Sequence, residues 1–163
     1  MGIKTDMLIR KVGLADYEIL IRFLDDNNIS EIVRYFHPFP FTSETARNII
    51  YKTKQDKYYV ALFDDRIVGL SMLRGWDEGF DIPSFGVLVD RSFHNQGIGM
   101  KLTQFSLTEA KNLGCKKIRL SVYASNVNAL HIYSSLGFKE KSCTVIIVNG
   151  KPDTKIIMVK ELE

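Results

Sequence analysis

The chain predicts an α/β sandwich built on a mixed sheet, and three observations carry that expectation. Stretches of period-two apolar alternation and of helical apolar spacing follow one another in the order β-α-α-β-β-β-α-β-α-β-β. Two glycines one residue apart, Gly97 and Gly99, open a long helix-forming run. The 163 residues, 45% hydrophobic and 25% charged, suffice for one soluble domain over residues 1–163 with a substantial core.

The elements are predicted as follows. "MLIRKV" (7–12) reads as a short strand. Asp16 is placed to cap an amphipathic helix that turns Ile19, Leu20, Phe23 and Leu24 inward. Thr42-Ser43 caps a second helix over roughly 44–55. "YYVALF" (58–63) and "IVGLSML" (67–73) flank Asp64-Asp65-Arg66 as a hairpin, and "SFGVLVD" (84–90) is the next strand. The helix behind the glycines points Ile98, Leu102, Phe105 and Leu113 at the core and stops at Gly114. In "KIRLSV" (117–122), Ile118, Leu120 and Val122 share a face. A helix from about Asn126 to Leu136 ends at Gly137. Strands near 142–148 and 155–160 close the chain around the turn "NGKPDT". Their apolar residues, Val145, Ile146, Ile147, Ile156, Ile157 and Met158, fit a sheet-edge homodimer and a two-sided buried strand equally well.

Several classes of function are disfavoured. No apolar run reaches membrane-span length, so no membrane partner is expected. "MGIKTDMLIR" lacks an apolar signal core, which predicts a cytoplasmic location. Gly2 follows Met1, but Asp6 stands where a myristoylation signal has Ser or Thr. Cys115 and Cys143 lie in apolar, strand-like surroundings and read as buried free thiols. His37, His94 and His131 have no metal-ligand spacing, so no metal is expected. The net charge of +3 is uneven, with residues 1–90 net acidic and 91–163 net basic. A basic half around the glycines suits a polyanionic cofactor. The aromatic-basic interleaving of an RNA-binding sheet is missing, so nucleic acid is not an expected partner.

Glycine costs a helix about 1 kcal/mol relative to alanine. Two of them in "HNQGIGMKL" (94–102) therefore suggest that an anion comes close to the unpaired N–H groups of a helix start. A dinucleotide fingerprint would need a third glycine where Leu102 stands, and no Gly-Lys-Ser/Thr phosphate loop is present. Downstream, "SVYASNVNALHIYSSLGF" (121–138) places Asn126 and Tyr133 two helical turns apart on one face, with small Ala129 between them.

These two motifs together resemble the GNAT superfamily of acyl-CoA-dependent N-acetyltransferases. The family pattern is Arg/Gln-x-x-Gly-x-Gly/Ala after the fourth strand, then Asn-x-x-Ala-x-x-x-Tyr-x-x-x-Gly-Phe. The motifs span residues 84–138, and the element order extends the likeness over most of the chain. One departure is His94 at the Arg/Gln position. The resemblance implies a three-layer sandwich with a twisted, mostly antiparallel sheet and acetyl-CoA as co-substrate. It implies direct attack of a primary amine on the thioester. Backbone of Val87, Leu88 and Val89 would pair with the pantetheine arm. Amides of His94, Asn95, Gln96, Gly97, Ile98 and Gly99 would hold the pyrophosphate. Asn126 would bond the cofactor, and Tyr133 would protonate the departing thiolate. A phenol of pKa about 10 faces a thiol of about 8.5, so the transfer is mildly uphill and hydrogen bonding alone would serve.

Many family members carry a base glutamate two residues before Gly86, where this chain has Ser84. Water near Ser84, His37, Asp81 or Glu78, or an acceptor already neutral, are the alternatives. Acceptor choice is expected from "RYFHPFPFTSE" (34–44), where Phe36, His37 and Phe39 suit a ring-shaped acceptor such as an amino sugar or serve only to close the core. Trp76 is a second wall, and Asp77, Glu78 and Asp81 keep polyamines and aminoglycosides open; a peptide amine is equally compatible. The missing glutamate also motivates a competing reading, a non-catalytic acyl-CoA-binding or regulatory module.

Overall fold

The computed structural model describes residues 6–163; the Gly2 position lies outside them. A seven-stranded sheet runs through the molecule in the order β1-β2-β3-β4-β5-β7-β6. Its strands are β1 (Leu8–Lys11), β2 (Lys57–Phe63), β3 (Arg66–Arg74), β4 (Ser84–Val89), β5 (Lys117–Tyr123), β6 (Lys139–Val148) and β7 (Lys151–Glu161). Every neighbouring pair is antiparallel except β4 and β5. The predicted mixed, mostly antiparallel sheet is therefore present. Helices α1 (Tyr17–Asp26), α2 (Ser30–Val33), α3 (Ser43–Arg47), α4 (Ile98–Asn112) and α5 (Val127–Ser135) connect the strands.

Local chemistry explains most boundaries. Thr42 caps α3 as expected, its hydroxyl accepting from the Thr45 amide at 3.2 Å. The second helix is shorter than the predicted 44–55, because the chain widens into a π turn over Asn48–Lys52. Asp16 does not cap α1 through its side chain. Its carboxylate instead receives both Arg10 guanidinium nitrogens, at 2.7 and 2.9 Å, and the Gly13 amide at 2.7 Å, pinning β1 to the helix start. The last hairpin turns on Asn149 and Gly150 alone, both at positive φ, so Lys151–Thr154 belong to β7 rather than to the turn.

Two large hydrophobic clusters cover the two faces of the sheet. Leu20, Phe23 and Leu24 of α1 pack with Val60, Leu62, Leu70 and Leu88 in the first. In the second, Ile118, Leu120 and Val122 line up on one face of β5, as the alternation predicted, and pack with Tyr133, Phe138, Ile156 and Met158. Ile98 and Leu102 seat α4 on β3, where Gly69 leaves the gap. A Cβ there would stand 2.6 Å from Leu102 Cδ1 and 3.3 Å from Ile98 Cγ2. Leu113, the C-cap of α4, is exposed rather than turned to the core, and Ala110 is the last fully buried residue of the helix. The interior strand β7 is buried on one face, where Ile156 and Met158 lie, and only half-buried on the other, where Ile157 lies, so the two-sided buried reading holds there in half. It fails for edge strand β6, where Val145 and Ile147 are 68% and 69% exposed. Both cysteines are free thiols, but Cys143 is exposed on β6 and Cys115 only half-buried.

Two outcomes follow. Gly69→Val overfills the seat of α4 and is expected to cost about 1–3 kcal/mol, read as a lower unfolding midpoint. The Arg10 guanidinium holds the Asp16 carboxyl below the usual carboxylate range, against an opposing push from burial. A depressed folded pKa contributes stability that is present above the unfolded value of about 4 and lost as pH falls through the lower folded value. Asp16→Asn should therefore be less stable than the parent at neutral pH, and the gap should close below about pH 4, as denaturant titrations at stepped pH would record.

Candidate active site

The site begins where β4 and β5 separate. They share one register pair, Ser84 with Arg119, and the Arg119 amide donates to the Pro83 carbonyl at 3.0 Å. Beyond it the strands diverge toward their carboxyl ends. The Asp90 amide donates to the Val68 carbonyl at 2.9 Å, so Asp90, Leu88 and Gly86 direct their backbone polar groups at β3. Val87 and Val89 consequently direct theirs into the split. The Leu88 amide belongs to the β3 ladder, which corrects the expectation that all three residues offer backbone groups to a ligand. The Val89 carbonyl is taken as well: the His94 ring donates to it from Nε2 at 3.0 Å. What β4 offers is the N–H and C=O of Val87 and the N–H of Val89.

Next to this edge lies the glycine turn. Asn95 (φ 60°) and Gly97 (φ 78°) are both left-handed, a conformation cheap only for glycine and tolerated by asparagine. Gly97 is the N-cap of α4, and the first amide to close an intrahelical bond on it is that of Lys101, at 3.1 Å. The amides of Ile98, Gly99 and Met100 precede that bond and lie at the positive end of a 15-residue helix with no acidic residue in its first turn. Alternating left- and right-handed residues gather N–H groups into an anion-binding concavity. His94, the departure from the family pattern, is therefore a latch between the turn and β4 rather than a phosphate-facing side chain. Gln96 is exposed and turned away from the crevice.

A polar knot fixes this turn to the rest of the fold. Asn27, fully buried at the end of α1, donates to Asp90 Oδ2 at 3.0 Å and to the Phe23 carbonyl at 2.8 Å, and accepts from the Arg91 amide at 2.9 Å. Asp90 in turn receives the Ser92 amide at 2.8 Å. Nothing in the local sequence around Asn27 announces this role, because Asp90 and Arg91 lie more than sixty positions away.

The crevice itself encloses about 400 Å³. Its β4 wall is Phe85–Val89, its floor the glycine turn, and its far wall β5 and α5 with Tyr123, Asn126, Ala129 and Tyr133. The second motif therefore meets the first across the split, as the resemblance implied. Asn126 makes no side-chain cap bond to α5, which leaves its amide free at the crevice. Tyr133 is 8% exposed, edge-on to Phe85 at 6.2 Å and to Phe138 at 5.8 Å. Burial pushes its phenol well above the ordinary tyrosine range.

The acceptor end differs from expectation. Of the aromatic run, Phe36 lines the crevice, but Phe39 does not. Phe36, Phe39 and Phe41 pack on one another with ring centres about 6 Å apart and join the first hydrophobic cluster, so two of the three rings close the core. His37 stands behind the wall, bonded to Tyr123. Ser84 lies outside the crevice, at the paired end of β4. Trp76 packs on the second cluster, and Asp77 is occupied by the Lys54 and Gln55 amides at 3.1 and 2.6 Å, so neither reaches this space. Glu78 and Asp81 also lie away from it. The sequence reading missed Glu31, Tyr35 and Tyr123, which do line the crevice. Tyr35 and Arg34 are tied to the β5–α5 turn by Ser125 and Asp153: Arg34 meets Asp153 at 3.0 Å, Tyr35 meets Ser125 at 3.0 Å, and Ser125 donates to Asp153. Residues 121–125 directly precede Asn126, so the run before the second motif was the available signal.

A strand split with an exposed amide edge, an anion-binding helix start and a buried phenol define a site for an extended, phosphate-bearing acyl carrier. Comparison with known proteins agrees. Residues 25–138 match the model of the Acetyltransferase (GNAT) family. The ribosomal protein bS18-alanine N-acetyltransferase of Salmonella typhimurium is 30% identical over 114 residues, which are 68% of this chain and 72% of that one. A probable spermine N(1)-acetyltransferase of Bacillus subtilis subsp. natto is 30% identical over 77 residues, 45% of each chain. In structure, a GNAT-family acetyltransferase from Streptococcus pneumoniae superposes with a TM-score of 0.82 over 97% of this chain and 100% of that one, at 19% identity. The chain belongs to the GNAT family of acetyltransferases.

The knot behind the turn gives a direct test. Asn27→Leu strands the Arg91 amide, at a cost of about 1–3 kcal/mol for an unsatisfied buried group, and takes from Asp90 Oδ2 the bond that ties it to α1. Calorimetric titration should show weaker coenzyme A binding by the variant, even at temperatures where both proteins are fully folded.

Proposed function

We propose that this chain transfers the acetyl group of acetyl-CoA to a primary amine by direct attack on the thioester, with the residues of the split in the following roles. The observation that carries the reading is the unpaired backbone edge of β4 ending at the anion-binding start of α4. The donors suit the ligand: amide groups match amide groups along an extended arm, and helix-start N–H groups match a diphosphate. Among the described residues no Lys or Arg lines the crevice, which favours binding by backbone dipoles. When bound, the thioester supplies an activated acyl carbon and a thiolate leaving group.

The chain's own groups then do the following. The Val87 and Val89 amides orient the arm, and one of them faces the carbonyl oxygen as negative charge grows on it. Asn126 fixes the cofactor from α5. Tyr133 donates a hydrogen bond to the departing sulfur. Its phenol is held protonated by burial, with a pKa pushed further above that of a thiol than an ordinary tyrosine's, so hydrogen-bond stabilisation is favoured over complete proton transfer. Phe36, Tyr35 and Tyr123 present aromatic walls to the acceptor, and Glu31 offers a negative charge to a cationic amine. That lining supports a small amine or a peptide N-terminus, and it weakens the amino-sugar reading, which drew on Phe36, His37 and Phe39 with Trp76 as a second wall, since of these Phe36 alone lines the crevice. A cytoplasmic setting, where acetyl-CoA and free amines meet, completes the proposal.

A thiol-release assay with amino sugars, polyamines and an alanine-ended peptide tests it, and turnover with none of them would defeat the reading. Tyr133→Phe is expected to lower kcat roughly 10- to 100-fold, below the full range of general acid catalysis. The dissociation constant for coenzyme A should stay nearly unchanged. An unaltered kcat would remove the role of the phenol.

A further inference from the structure

The base glutamate expected at position 84 is absent, and Ser84 lies outside the crevice. An attacking amine arrives largely as ammonium and must lose a proton. The geometry points to another route, through Tyr123 and His37. This inference rests on the acetyltransferase reading above.

Tyr123 is the last residue of β5, lines the crevice beside Asn126, and is 8% exposed. Its hydroxyl lies 3.0 Å from Nε2 of His37. The other ring nitrogen, Nδ1, lies 2.8 Å from the Val33 carbonyl. A carbonyl only accepts, so Nδ1 carries the hydrogen and the neutral ring presents a bare Nε2. The Tyr123 hydroxyl therefore donates to Nε2, and no donor among the described residues occupies its oxygen, which leaves its lone pairs available in a residue that lines the crevice. His37 itself is exposed on its outer side. A lone-pair acceptor facing the amine thus connects, through one hydroxyl, to a basic nitrogen that reaches solvent.

We propose that Tyr123 and His37 act as a two-member proton relay that deprotonates the acceptor. The ammonium N–H bond breaks as its proton moves to the Tyr123 oxygen. The Tyr123 O–H bond breaks as that proton moves to Nε2. The positive charge passes from ammonium to imidazolium, which returns its proton to bulk water, and the phenol is neutral before and after. A phenolate is never required, so the raised pKa of Tyr123, due first to burial, does not block the route. The Val33 carbonyl, already hydrogen-bonded to Nδ1–H, stabilises the imidazolium.

The surrounding charges are compatible with this. Arg34 faces the pair from the segment after α2, but it is ion-paired with Asp153 of β7 at 3.0 Å. Arg74 of β3 is turned to the Pro38 carbonyl at 3.3 Å and to the Phe39 ring. Glu31 of α2 lines the same crevice, and the Tyr35 ring lies 6.1 Å from that of Tyr123.

The test joins kinetics to spectroscopy. His37→Gln and Tyr123→Phe should each lower kcat/KM for the amine about 10- to 100-fold near pH 7 and approach the parent as pH rises toward the amine's own pKa. The double variant should be no worse than either single one, and coenzyme A affinity should hold. Nitrogen-15 NMR of the free protein should show His37 protonated at Nδ1 and bare at Nε2, with the Nε2 resonance displaced in Tyr123→Phe. An Nε2-protonated tautomer, or a rate loss uniform across pH, would overturn the relay. If the parent turned over no amine while the NMR signature held, the hydrogen-bonded pair would stand but the acetyltransferase reading and the relay would both fall.

Discussion

The site depends on two parallel strands that fail to zip together. Each is committed to its other neighbour. The end of β4 is drawn to β3 by the Asp90–Val68 bond and locked there by Asn27. The end of β5 is drawn to β7, where the Ala124 amide donates to the Thr154 carbonyl at 2.8 Å and Ser125 is held by Asp153. His94 then occupies the Val89 carbonyl, one of the groups a closing ladder would need. An unpaired backbone group buried away from water costs about 1–3 kcal/mol. Bonds made on both outer sides hold the split open, and the groups left inside it are exposed to whatever enters.

The electrostatics of the crevice follow from this. The chain is net basic over residues 91–163, yet none of those lysines or arginines lines the crevice. On the proposed reading, anion affinity comes instead from peptide dipoles fixed by fold geometry. Such donors carry no side-chain entropy to lose and need no counter-charge nearby. They also leave the acceptor end free to be aromatic and mildly acidic, since Glu31 has no neighbouring cation in the lining to neutralise it. One crevice can thus take an anion at one end and a cation at the other.

What was legible in the sequence was what local chemistry writes. The alternation of Ile118, Leu120 and Val122, the cap at Thr42, the glycine turn and the Asn126–Tyr133 face all reflect partners within one or two turns of chain. The site residues missed or misplaced reflect distant partners. Asp16, outside the site, is a different case: Arg10 is only six positions away, but the bend between β1 and α1 that brings them together does not show in the spacing. Tyr123 was not singled out because its polar partner, His37, is 86 positions away. The rings of Phe36, Phe39 and Phe41 looked like a binding face because their spacing does not say whether they meet each other or a ligand.

That last ambiguity bears on specificity. The aromatic run is anchored on both sides: the Phe36–Phe39–Phe41 cluster roots it in the core, and Arg34 and Tyr35 tie it to the β5–α5 turn. A segment held at two points presents a fixed wall rather than a closing lid, and rigid walls discriminate by shape. The bonds that fix the wall run from Tyr35 to Ser125, the residue just before Asn126, and from Arg34 to Asp153 of β7, which itself holds Ser125, and His37 of the same segment bonds Tyr123. Acceptor wall and cofactor wall are therefore one hydrogen-bonded unit, and a substitution that shifts the acceptor segment should also move Asn126. On the proposed reading, the Arg34–Asp153–Ser125–Tyr35 bonds are the ones through which a change in the acceptor segment would reach Asn126.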